Sequence, residues 1–269
     1  MPKPLRIATW NINSFRLRLP LVERVVTELA PDVLCLQETK VPDDLFPAHA
    51  ARTLGYAHVL FRGMKSYNGV AIFSRRPMTL MPDPPDWCSK TDCRHLGVRI
   101  DTASGPLELH NFYVPAGGDV PDRAANPKFA HKLDFIAETT AWFAARASLS
   151  RCVLVGDLNI APLEHDVWSH KQLLDVVSHT PVETEALLAW QATGFSDALR
   201  HFVPPDQKLY TWWSYRNRDW KVANRGRRLD HVWATPDLMP AAERHVILQD
   251  ARDWTQTSDH VPVAVDFAL

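Results

Sequence analysis

No stretch of this sequence is apolar over the roughly 18 to 20 residues that a helix needs to cross a bilayer. Its opening, MPKPLRIATWNIN, also lacks the basic-then-apolar layout of a secretory signal, so a cytoplasmic location is expected. Cysteine is scarce, with only Cys35, Cys88, Cys93 and Cys152. Two of these lie in apolar strand-like runs, where a free thiol behaves as a small hydrophobe. Cys88 and Cys93 have no second pair to complete a zinc site, and all four read as reduced and structural. Walker A, GxSxG and HExxH motifs are absent, and the 12 histidines are scattered without ligand spacing, which leaves nothing to favour P-loop, serine-hydrolase or zinc chemistry. There is no Gly/Ser tract, charge block or low-complexity segment to mark a linker, so residues 1–269 are expected to form one domain. A general excess of positive charge is missing too, with 30 Lys and Arg against 31 Asp and Glu.

The chain does have enough apolar material, 46% of its residues, to bury a substantial core. Short runs rich in β-branched, leucine and aromatic residues predict strands over 5–12, 33–37, 57–61, 69–74, 96–100, 107–113, 152–155, 209–213, 229–234, 245–248 and 261–267. Helical patterns occupy 19–29, 45–54, 128–147 and 183–193, the last preceded by Thr180, whose spacing to Glu183 fits a capping box. Segments alternate between β and α early, and hairpins are expected to dominate late. The mixture predicts an α/β fold with two sheets packed face to face and helices outside. Residues 116–127, with Gly117, Gly118, Pro121 and Pro127, read as an exposed loop.

Polar residues recur at the ends of these apolar runs, where a sheet fixes a side chain that can still face a cleft. TWNIN (9–13) ends the first strand with Asn11, LQETK (36–40) the second with Glu38, and VGDLNIAP (155–162) another with Asp157 and Asn159. RLDH (228–231) carries Asp230, and SDHVPV (258–263) carries Asp259 and His260. Any one of these could simply bond its own backbone in a turn. As a set, Glu38, Asp157, Asp230, Asp259 and the amide oxygen of Asn11 supply the oxygen ligands that a hard cation such as Mg²⁺ takes. The net charge hides a local excess as well: Arg216, Arg218, Lys221, Arg225, Arg227 and Arg228 stand against the single acid Asp219, with Trp220 among them. Basic residues interleaved with an aromatic suit a nucleic acid, although the same stretch could be a solvated loop.

With these motifs in hand, the chain resembles exonuclease III and its relatives, the abasic-site endonucleases of base-excision repair. The resemblance spans nearly the whole sequence and is carried, in the family's order, by TWNIN, LQETK, NGVAIFSR (68–75), NFYVPAGG (111–118), VGDLNIAP, FSDALR (195–200), TWWSYR (211–216), RLDH and SDHVPV. It implies a four-layer α/β sandwich with the active site at one end of the two sheets. It also implies Mg²⁺ as cofactor, with Mn²⁺ able to substitute, and double-stranded DNA, abasic or 3′-blocked, as the partner of a monomeric enzyme.

Residue by residue, the resemblance makes Glu38 the main metal carboxylate, with Asn11 beside it and Asp259 as a further contributor. Asp157 would orient or deprotonate the attacking water, and Asn159 would help hold water and phosphate; the resemblance also counts both, with His260, among the metal residues. Tyr113 would hydrogen-bond the phosphate, and Asp230 would pair with His260, which contacts a phosphate oxygen. Trp212 matches the aromatic that lines the pocket for the base-free sugar, and because Trp213 follows it on a strand, one of the two must face inward. Arg216, Lys221, Arg225 and Arg227 would meet DNA phosphates. Arg227 departs from the eukaryotic relatives, which carry tryptophan there, and a guanidinium closes a pocket less well. Other phosphoesterases of the superfamily share the Asn, Glu, Asp-x-Asn and Ser-Asp-His elements. Those elements alone therefore imply phosphoester hydrolysis, with a non-specific nuclease, a phosphatase or a catalytically silent DNA-binding protein as alternatives.

Overall fold

Apolar side chains on both faces of most strands predict sheets covered on both sides, which requires layers outside them as well as between them. The computed structural model describes residues 3–82, 85–217 and 219–269. Its strands are β1 (Leu5–Asn11), β2 (Val33–Gln37), β3 (His58–Met64), β4 (Tyr67–Ser74), β5 (Met78–Leu80), β6 (His95–Thr102) and β7 (Gly105–Tyr113). They continue as β8 (Cys152–Asp157), β9 (Ser196–Asp197), β10 (Trp212–Trp213), β11 (Gly226–Arg227), β12 (Asp230–Ala234), β13 (Ala242–Ile247) and β14 (Val263–Phe267). The helices are α1 (Leu19–Leu29), α2 (Ala48–Thr53), α3 (Pro127–Ala144), α4 (His170–Leu173), α5 (Pro181–Gln191), α6 (Ala198–Phe202) and α7 (Trp220–Ala223). None is long and apolar enough to cross a membrane.

Two six-stranded mixed sheets form, ordered β13-β14-β1-β2-β4-β3 and β5-β6-β7-β8-β12-β9. A central core of Leu5, Ile7, Val33, Ile72, Val98, Leu109, Val155, Val232 and Val265 packs the inner faces together. The outer face of the first sheet, with Trp10, Leu34 and Phe73, packs on Val22 and Val25 of α1 and Ala51 of α2. The outer face of the second, with Phe112, Leu154 and Trp233, packs on Phe135 and Phe143 of α3 and on Leu187 and Trp190 of α5. The result is a four-layer α/β sandwich, matching the expected architecture.

Several local expectations shift for identifiable reasons. Helix 45–54 divides into a 3₁₀ turn, Asp43–Leu45, and α2, because Pro47 forces Phe46 into the extended region, at φ −71° and ψ 121°. The strand expected over 209–213 shrinks to β10, since its backbone bonds elsewhere: Leu209 N donates to His165 O and Trp213 N to Asp259 O. Hairpins are not concentrated late, for the antiparallel neighbours β3 and β4, and β6 and β7, lie in the first half. The capping box at α5 forms as expected. Gly156, at φ 141°, cannot be replaced without collision, because a Cβ there would sit 1.9 Å from Phe112 O on the neighbouring strand.

Candidate active site

Strand direction gathers the polar strand ends. β1 and β2 run parallel and pair Asn11 with Gln37, so Glu38 follows one step beyond the sheet end. In the other sheet, parallel β7 pairs Tyr113 with Asp157 of β8, and antiparallel β12 pairs Asp230 with the same Asp157. Residues aligned across neighbouring strands share a face, so Tyr113, Asp157 and Asp230 stand side by side at one end. The segment entering β14 returns to this end and supplies Asp259 and His260.

Asn11 bridges the sheets, donating from Nδ2 to Asp157 Oδ2 at 2.8 Å and to Glu38 Oε1 at 3.0 Å. Its oxygen accepts from Asn13 N at 3.0 Å. The amide therefore presents a donor to both carboxylates, while its oxygen, which accepts one hydrogen bond, keeps a second lone pair. Asn159 N and Nδ2 donate to Asp157 Oδ1 and Oδ2 at 2.9 and 3.1 Å. Burial pushes Asp157 well above the usual carboxylate range, against the pull of nearby His260. His260 Nδ1 lies 2.8 Å from Asp230 Oδ2, and its Nε2 lies 3.6 Å from Asp157 Oδ2. Burial alone would lower this imidazole, but Asp230 and Asp157 outweigh it and hold it above its ordinary value. Thr211, to which the sequence reading gave no role of its own, fixes Asp230 by donating to Oδ2 at 2.7 Å while accepting from Asp230 N. The only sequence signal for it is its place at the head of TWWSYR.

Glu38 and Asn159 adopt the left-handed region, at φ 51° and 55°. This region is unfavourable for side chains other than glycine, and such residues cluster where the surroundings over-determine them. The Glu38 turn is so determined: Ser14 N donates to Glu38 O at 2.7 Å and Lys40 N to Asn68 O at 2.9 Å. Burial raises Glu38, but Lys40, Asn11 and Tyr113 outweigh it, and the group lies below its ordinary range. It is therefore ionised.

Glu38, Tyr113, Asp157, Asn159, Asp259 and His260 open on one cavity of about 600 Å³. The donor chemistry fits a hard divalent cation: the carboxylates are oxygen ligands and no cysteine lines the cavity. Asp157, Asp230 and His260 also bring ligand atoms within 4.8 Å of one another and form a second group that could hold a cation. Glu38 is the better holder, since its side chain keeps about a fifth of its surface exposed where Asp157 and Asp230 keep almost none.

Trp213 is buried and Trp212 half-buried, lining the cavity and donating from Nε1 to Asp259 Oδ2 at 2.9 Å. The basic stretch divides. Arg216, Arg225 and Arg227 line the cavity, Arg225 over the Trp168 ring and Arg227 over Trp212. Lys221 is exposed, does not line it, and pairs with Asp253. Arg228, counted from sequence as part of a basic surface, is fully buried and saturated by Asp166 and Asp197. Arg218 lies outside the described residues.

The sequence profile of the Endonuclease/Exonuclease/phosphatase family matches residues 8–260. Exodeoxyribonuclease III of Haemophilus influenzae is 30% identical over 98% of this chain and 100% of its own. An exodeoxyribonuclease of Bacillus subtilis is 27% identical over 96% of this chain and 98% of its own. Among solved structures, the 3′ phosphatase NExo from Neisseria bound to product DNA hairpin superposes with a TM-score of 0.89 at 30% identity. An AP endonuclease from Archaeoglobus fulgidus superposes at 0.88 and 31%. Both structures cover 98% of this chain and are themselves covered completely. Matched along nearly its whole length in sequence and in fold, the chain belongs to the endonuclease/exonuclease/phosphatase family, as an enzyme of its exodeoxyribonuclease III branch.

Proposed function

We propose that this protein is a Mg²⁺-dependent DNA phosphodiesterase of base-excision repair, acting as a cytoplasmic monomer that incises 5′ to abasic sites and removes nucleotides or blocking groups from 3′ ends. The observation that carries this reading is the facing pair, Asp157 Oδ2 and His260 Nε2, on a cavity that Trp212 and three arginines also line. Full-length similarity to exodeoxyribonuclease III and to an AP endonuclease supports DNA as the substrate class.

In the proposed reaction a water oxygen joins phosphorus, the O3′–P bond breaks, and O3′ leaves as a hydroxyl after taking a proton from solvent. Asp157, oriented by Asn11 and Asn159 and raised by burial, accepts the proton of that water. His260, charged and steered by Asp230, donates from Nε2 to a phosphate oxygen as charge accumulates there. The Tyr113 hydroxyl donates to the same phosphate. Glu38 and Asp259 would hold the divalent cation, with Asn11 orienting Glu38. When bound, that cation would supply charge neutralisation on the phosphate oxygens. Arg216, Arg225 and Arg227 meet the DNA backbone, and Trp212 lies against a base-free sugar.

A cleavage assay tests the reading: duplexes with an internal abasic analogue, a recessed 3′ end or a 3′-phosphate, each in Mg²⁺ and in chelator. The expected result is cleavage in Mg²⁺ alone. Cleavage that survives chelator, or no cleavage of any duplex in Mg²⁺, sinks it.

A further inference from the structure

Thr9 and Asn111 stand two residues before Asn11 and Tyr113, and Gln37 stands directly before Glu38. Residues two apart on a strand share a face, so Thr9 and Asn111 lie on the inner faces of the two sheets, one step deeper than Asn11 and Tyr113. Gln37 continues the inner row of Val33 and Cys35. All three polar residues are fully buried. They form a layer between the central apolar core and the catalytic groups. The layer is tied across the sheets: Gln37 Nε2 donates to Asn111 Oδ1 at 2.6 Å and to Thr9 Oγ1 at 2.9 Å. Asn111 Nδ2 reaches back to the first sheet, donating to Leu36 O of β2 and Ala71 O of β4, each at 3.0 Å.

Stability alone does not call for this layer. Burying an amide costs desolvation that its hydrogen bonds only partly return, and Gln37 Oε1 has no partner among the described residues. Apolar side chains of like volume would extend the core without that cost. What the hydrogen bonds add is direction. Apolar contacts let two sheets settle at slightly different offsets, whereas the three bonds that cross between the sheets hold only at one length and angle. The offset matters here because Glu38 comes from the first sheet and Tyr113 and Asp157 from the second. A misplacement of about 1 Å can cost about 10² in rate.

We propose that Thr9, Gln37 and Asn111 are positioning residues, a cross-sheet clamp that holds Glu38 in register with Tyr113 and Asp157. The proposal rests on the reading of this cavity as a DNA phosphodiesterase site. The clamp does not line the cavity and acts only through the side chains it sets in place. It therefore governs kcat rather than DNA affinity, which that reading assigns to the arginines of the cavity rim.

The test replaces the whole layer at once, Thr9→Val with Gln37→Met and Asn111→Leu, so that no member is left buried without its partner. On a duplex with an internal abasic analogue in Mg²⁺, the triple variant should lose about tenfold to a hundredfold in kcat and keep KM within about threefold of the wild type. Its thermal midpoint should lie at or above that of the wild type. Ile72→Val, which trims the apolar core on the same inner face, should do the reverse, lowering the midpoint and leaving kcat unchanged. A rate that falls while the midpoint holds is a signature that a merely structural layer does not give. Unchanged kcat in the triple variant overturns the proposal. So does a triple variant that fails to fold or melts far below the wild type, since the layer would then serve stability. An Ile72→Val protein that loses kcat to the same degree overturns it too, because any loosening of the core would then suffice. These outcomes leave the phosphodiesterase reading standing, whereas a wild-type protein that cleaves no duplex in Mg²⁺ overturns both.

Discussion

His260 is gripped at one ring nitrogen by Asp230 and faces Asp157 with the other, so its tautomer and its charge are set by a neighbour that never reaches the cavity surface. Removing Asp230 should disable much of what His260 does. Asp230→Asn and His260→Asn are each expected to lower kcat by about 10² to 10⁴, as for positioned acid-base or oxyanion groups. The double variant should be little worse than the slower single one, because groups acting as a unit do not add. A double-mutant cycle with folding checked by thermal melting decides it, and multiplicative losses would dissolve the pair. His231 shows the opposite control. It is fully buried, lies 2.8 Å from Ile160 O through Nε2, and meets Arg228 at Nδ1. Burial, aided by the Arg228 charge, lowers its pKa to about 4. Between pH 6.5 and 4 the unfolded chain therefore binds more protons at this residue than the folded one, so its contribution to stability falls as pH falls through that window. Urea melts across the window should show a stability loss of the order of a few kcal/mol from this site. A His231→Gln variant should lose less over the same window, and parallel curves for the two proteins would refute the assignment.

At the scale of elements, α5 serves the site at a distance. Its capping box uses Glu183, which also accepts from Ser178 N and forms a wholly buried pair with Lys132 of α3 at 2.5 Å. Lys132 in turn donates to Asn159 O at 2.8 Å and to Ala116 O. One buried ion pair thus links two outer helices to the Asp157–Asn159 turn and the 116–127 loop. Removing one partner of such a pair leaves a buried charge uncompensated, so Glu183→Gln should destabilise the protein by about 3 to 5 kcal/mol. Thr180→Ala, which loses the hydroxyl that donates to Glu183 Oε2 but leaves the ion pair, should cost about 1 kcal/mol. Urea unfolding separates the two, and equal losses would mean that Glu183 acts as a cap alone. The β10–β11 ribbon depends on Gly226, opposite Trp213, where a Cβ would lie 2.6 Å from the Tyr210 ring. That close approach lets Trp213 and Tyr210 pack inward while Trp212 and Arg227 face the cavity.

For the whole molecule, a net charge of −1 coexists with a cationic cavity rim, because Arg216, Arg225 and Arg227 are gathered there without carboxylate partners among the described residues. Neutralising all three should weaken DNA binding across sequences and flatten its salt dependence, by about 0.9 in log–log slope for each DNA phosphate that is no longer neutralised. Lys221→Ala should do less, since that ammonium is already paired with Asp253. Binding titrations over a range of salt check both, and an unchanged slope in the triple variant would place the DNA track elsewhere. Glu38→Ala should lower cleavage by orders of magnitude while leaving thermal stability near that of the wild type, because an ionised carboxylate there serves the cation rather than the core. Near-normal rates at low Mg²⁺ in that folded variant would remove Glu38 from the metal site.

What the sequence by itself determined is what short-range order encodes: α1 and β2 at their observed bounds, the Thr180–Glu183 cap, the strand-end positions of Asn11, Glu38, Asp157 and Asp230, and the inward turn of one of two adjacent tryptophans. Each follows from period, capping chemistry or motif order within a few residues. The resemblance added the four layers, which periodicity could not order. Only the tertiary structure decided where long-range partners fall. The Arg216 to Arg228 stretch looked like one basic surface, yet it splits into cavity arginines, an outward lysine and a buried arginine, because Asp166, Asp197 and Asp253 arrive from distant segments. The orientation of the Asn11 amide and the support of Asp230 by Thr211 were hidden for the same reason. Charge and hydrogen-bond partners are properties of the folded neighbourhood, and a residue's type names only what it can bond, not what will be within reach.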